Sequence, residues 1–87
     1  MAGDYTLFLQ LEAVSVLRSL RPPERTLLEA HFNQLENFPN LKGEATARDI
    51  IGRVVQVKFV SKFRIVYWAD HAVKEIKVLK LERLPRR

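Results

Sequence analysis

Arg53-Val54-Val55-Gln56-Val57-Lys58-Phe59-Val60, then Ser61-Lys62, then Phe63-Arg64-Ile65-Val66-Tyr67-Trp68 is the stretch that decides the fold class. The first run alternates. Val55, Val57 and Phe59 fall on one face of a strand, and Val54, Gln56, Lys58 and Val60 on the other. The second run is rich in aromatic and β-branched residues, which suit a pleated surface. Ser61-Lys62 leaves room only for a tight connection between the two. Asp70-His71 marks a further turn. Residues 73–81 then alternate again, with Ile76 and Val78 on one face and Glu75 and Lys77 on the other. Three strands in this order read as an antiparallel meander.

Upstream the period changes. Ala13, Val16, Leu17 and Leu20 recur at helical spacing, and Arg21-Pro22-Pro23 stops that helix because a proline restricts the residue before it. The same prolines open a second helix, where Pro23 and Glu24 suit a first turn. Its stripe is Leu27, Leu28, His31, Phe32 and Leu35, and Phe38-Pro39-Asn40 ends it. The short link predicts an antiparallel helical hairpin. Thr6-Leu7-Phe8-Leu9 reads as an opening strand, or as the first turn of the helix after it. Residues 39–52 read as a polar connector without a period.

The chain has 87 residues, enough for one domain spanning residues 1–87 and one two-layer core. It has no cysteine, so disulfides, thiolate catalysis and zinc–cysteine sites are excluded. That absence, with no signal-like or membrane-spanning run, leads to the expectation of a cytoplasmic protein. The net charge of +5 is unevenly placed. Residues 1–52 carry five Lys/Arg against seven Asp/Glu, a net −2. Residues 53–87 carry ten against three, a net +7. A basic half of this kind suits a polyanion or an acidic protein partner, or is a solvated surface.

The order strand, helix, helix, strand, strand, strand resembles the RelE/ParE toxins of bacterial type II toxin–antitoxin pairs. The residues that carry the resemblance are Gly52-Arg53-Val54-Val55-Gln56-Val57-Lys58, Phe63-Arg64-Ile65-Val66-Tyr67-Trp68 and Lys77-Val78-Leu79-Lys80-Leu81. Residues 67–75 are similar to a subgroup described as plasmid-stabilisation or phage-derived RelE-like proteins. The resemblance implies an α+β domain with a two-helix hairpin on one face of a small, mainly antiparallel sheet. It implies a cognate antitoxin as partner, and either mRNA on the ribosome or DNA gyrase as target. The residues themselves show no Gly-rich phosphate loop, metal-ligand cluster or membrane-spanning run, so no cofactor, metal or membrane is expected. The toxin–antitoxin complex of such a pair commonly represses its own operon.

RNA cleavage through a 2′-hydroxyl nucleophile needs a base, an acid and cations around the crowded phosphate. On the resemblance, Lys58, Arg64 and Arg83 are the catalytic candidates. Arg53, Lys62, Lys80, Arg86 and Arg87 are candidates for holding the RNA backbone. Each also has a plain reading. Lys58 can be a solvated strand lysine, and Arg64 can sit in a structural ion pair with Glu75. Trp68 shares the face of Arg64 and is the candidate for base stacking, whereas Tyr67 points to the core. His71 is a candidate proton shuttle or a turn residue, and His31 an interface or core-edge residue. Catalytic members often carry a tyrosine or histidine near the C-terminus. Here the chain ends Glu82-Arg83-Leu84-Pro85-Arg86-Arg87, which favours a non-enzymatic binding member as the alternative.

Overall fold

The computed structural model describes residues 4–85. Arg86 and Arg87 therefore lie outside the described residues. The elements run β1 (Thr6–Leu9), α1 (Leu11–Arg18), α2 (Pro22–Asn37), β2 (Ala45–Arg48), β3 (Val54–Val60), β4 (Phe63–Asp70) and β5 (Glu75–Arg83). One five-stranded sheet has the order β1-β5-β4-β3-β2. β1 runs parallel to β5, and every other neighbouring pair is antiparallel. The architecture is α+β, with both helices on one face of a mixed sheet.

The meander forms as its alternation dictates. Ser61, with φ of 54°, and Lys62 turn the chain so that Val60 pairs with Phe63. β5 carries one irregularity. Val66 pairs with Lys80 but Tyr67 pairs with Val78, so Leu79 is the extra residue of a bulge. The bulge keeps both Leu81 and Val78 on the buried face.

The core lies between the helices and the centre of the sheet. Ala13, Leu20, Leu28, Phe32 and Leu35 meet Phe63, Ile65, Tyr67, Ile76, Val78 and Leu81 there. Burying each large side chain contributes roughly 1.5–3 kcal/mol. Tyr67 is in the core as its face predicts, and its hydroxyl donates to the Leu41 carbonyl at 3.0 Å. Burial, aided by Glu44, pushes that phenol up to about 12.

One expectation is corrected. The connector 39–52 is not featureless, because it contains the edge strand β2. Ala45-Thr46-Ala47-Arg48 is short, carries no large apolar residue and is exposed throughout, and the strand exists by pairing with Val57, Gln56 and Val55 of β3. The two helices follow one another through a three-residue link, as expected, and pack on the sheet. The helices contact the sheet, α1 on β5 above all, more than they contact each other.

Candidate nucleic-acid interface

Which face a basic residue occupies follows from register, because directly opposed residues share a face. Phe59 opposes Arg64, and Lys58 opposes Ile65. Ile65 is wholly buried under the helices. Lys58 therefore points to the helix side of the sheet and Arg64 to the open side. Arg83 opposes Phe63 and lies on the helix side, still within β5 rather than in a tail after it. The three catalytic candidates do not converge.

Each has its own carboxylate. Lys58 Nζ lies 3.3 Å from Glu44 Oε1. Arg64 pairs with Glu82, its direct neighbour on β5, and not with Glu75 as the sequence suggests. Arg83 donates from Nη1 and Nη2 to the two oxygens of Glu24, each at 3.1 Å. The Arg83 hydrogen bond holds the Glu24 carboxyl below the usual carboxylate range.

The open face carries Arg53, Lys77 and Lys80 beside Arg64. Trp68 does share that face with Arg64. The Arg53 guanidinium sits 3.9 Å from the centroid of its ring, and Lys77 of β5 brings its Nζ to 5.3 Å from the same centroid. A base stacking on Trp68 has to displace Arg53. Arg53 and Lys77 are also paired, with Asp49 at 3.6 Å and Asp70 at 2.9 Å. Lys80 is exposed, and among the described residues no carboxylate lies within ion-pair distance of it.

His71 is exposed in the β4–β5 turn, where its Nδ1 bonds the Tyr5 hydroxyl. It stands seven residues along from Arg64, about 23 Å in an extended strand. It ties the entry of β1 to the turn and is remote from Arg64 and Arg83. His31 is a buried core-edge residue whose Nε2 has no partner. Burial, with the charge of Lys58 nearby, keeps its imidazole below the usual value.

Among the described residues, a second group of cations, which includes the candidates Lys62 and Arg83, gathers at the start of α2. Arg21, Glu24, Ser61, Lys62, Arg83, Leu84 and Pro85 line an open cleft of about 650 Å³. Leu84 N donates to the Lys62 carbonyl at 2.7 Å, which fixes the end of β5 against the β3–β4 turn. Among the described residues, Arg21 and Lys62 have no ion-pair partner. Two unpaired cations, a third held by Glu24 and the start of a helix can bind a phosphodiester backbone. Glu24 is the acid–base group lining this cleft, and its lowered pKa makes it a weak base.

Arg21 was not a candidate from sequence, because the N-terminal half is acidic on balance. Its signal was local, a cation immediately before the Pro22-Pro23 helix start. Among the described residues, no cluster of metal-ligating side chains is gathered. No described helix is long and apolar enough to cross a membrane.

No protein-family model and no curated protein matches the chain. Solved structures do. A chain of the archaeal RelE–RelB complex from Pyrococcus horikoshii OT3 superposes with a TM-score of 0.76 at 20% identity, over 95% of this chain and 98% of that one. The isolated E. coli RelE toxin gives 0.75 at 17% identity, over 97% and 88%. A chain of the RelBE2 toxin–antitoxin complex from Mycobacterium tuberculosis gives 0.70 at 20%, over 91% and 96%. The protein has the fold of the RelE toxins.

Proposed function

We propose that this protein is the toxin of a type II toxin–antitoxin pair, acting in the cytoplasm on ribosome-bound mRNA and neutralised by a cognate antitoxin. The observation that carries this is the end-to-end likeness to chains of RelE–RelB complexes and to an isolated RelE toxin. The cleft of Arg21, Lys62 and Arg83 supports an RNA ligand, since its cations are spaced along an open surface. In the endonuclease reading these cations offset charge at the scissile phosphate while the 2′-hydroxyl attacks.

A second reading is a non-enzymatic member of the fold, such as a gyrase inhibitor or an antitoxin-binding homologue. The dispersal of Lys58, Arg64 and Arg83 into separate ion pairs favours it. The test is purified protein added to a cell-free translation reaction, with the mRNA ends mapped. Cuts that need the ribosome support the endonuclease. Blocked translation with intact mRNA supports the binding reading. Unimpaired translation contradicts the ribosomal target.

A further inference from the structure

β2 is an edge strand whose four residues are all exposed, and it carries neither proline nor lysine to discourage pairing. The direction of its free backbone groups follows from its bonds to β3. Asp49 N donates to the Arg53 carbonyl, so the odd-numbered residues of this strand turn their N–H and C=O groups towards β3. Within β2, Thr46 and Arg48 therefore turn theirs outward, and Glu44 stands in the bend just before the strand.

We infer that this edge pairs with the same edge of a second copy of the chain, antiparallel about a two-fold axis through Thr46. The occupant is argued from charge. Centring the axis at Thr46 sets Glu44 opposite the partner's Arg48, and Arg48 opposite the partner's Glu44. Centring it at Arg48 instead sets like charges together. The Thr46 register opposes even residues to even residues, so the outward N–H and C=O groups of the two Thr46 residues bond each other across the axis. Lys58 already lies beside Glu44 on the same sheet face. The dimer extends this to an alternating ladder of Lys58, Glu44 and the partner's Arg48. Ala45 and Ala47 line the opposite face and offer no steric bar. The Asp49 carboxylate, which accepts from Ile51 N and Arg53 N, holds the hairpin tip in shape. Ile50, fully exposed at that tip, then runs alongside the partner's Lys42.

The chain has no cysteine, which allows a register-specific test. Thr46→Cys places the two thiols on directly opposed residues about 5.5 Å apart between Cα atoms, within disulfide reach. Ala47→Cys places them diagonally, about 7–8 Å or more apart, beyond it. Under mild oxidation, T46C is expected to give a covalent dimer and A47C is not. In sedimentation equilibrium, the wild-type chain is expected to dimerise reversibly. Thr46→Pro removes the outward N–H at the axis without touching the β3 bonds. It should raise the dimer Kd about thirtyfold, the loss of two interstrand bonds, with an unchanged circular dichroism spectrum. If T46P fails to fold, the cysteine pair decides. A folded wild-type chain that stays monomeric at millimolar concentration, or A47C that cross-links as readily as T46C, overturns the proposal.

Discussion

Lys62→Ala should change how RNA binding responds to salt. Each phosphate neutralised on a single strand contributes about 0.7 to the slope of log affinity against log salt. The cleft offers two unpaired cations, Arg21 and Lys62, while Arg83 is occupied by Glu24. Its share of the slope is therefore about −1.4, and a fourfold rise in salt weakens that share about sevenfold. Removing Lys62 should take about 0.7 from the slope. The same rise in salt then costs that share only about threefold. Glu24→Gln should act in the opposite sense. It frees Arg83, so binding strengthens at low salt and the slope steepens by a similar amount. The assay is fluorescence anisotropy of a labelled single-stranded RNA over a salt series. Differences between variants carry the test, since cations elsewhere add to every slope equally. If both variants bind RNA with the wild-type slope, the RNA lies elsewhere, and the reasoning that unpaired cations mark the site is refuted.

Three further outcomes follow from the packing. Ile65→Ala should cost about 2–5 kcal/mol in urea unfolding, because Ile65 is wholly buried in the core. Tyr67→Phe should cost about 1 kcal/mol by deleting the bond to the Leu41 carbonyl, and lower Tm by a few degrees. His31 is lowered in the folded state, so the unfolded chain takes up its proton first as pH falls. Stability from this group is present above the ordinary histidine value and lost below it. His31→Leu should therefore flatten the stability profile as pH falls below the ordinary histidine value of about 6.5. A slope unchanged in the variant would show that the imidazole is not the titrating group.

Much of the fold was legible because strand alternation and helical stripes are local signals. Ile76 and Val78 declared the buried face of β5, and Tyr67 that of β4. β2 was not legible, because Ala45-Thr46-Ala47-Arg48 becomes a strand only through its neighbour. Which face of β3 meets the helices was not legible either. Its more apolar side, with Val57 and Phe59, is the open one, since the short helices cover β1 and β5 and leave β3 near the margin. The opposite placement of Lys58 and Arg64 could have been read in advance. A two-residue turn at Ser61-Lys62 opposes Val60 to Phe63, which sets Lys58 opposite Ile65 and not on the face of Arg64. The pairing of Arg83 with Glu24 spans 59 positions and has no local signature. The cleft that it helps to form, with Arg21 and Lys62, was hidden for the same reason.

The most direct test of the toxin account is induced expression of the chain in bacteria, following growth while mapping mRNA ends by primer extension. The account predicts arrest with new cuts at codon-related positions, relieved by the partner antitoxin. Normal growth in cells that hold folded protein would contradict it.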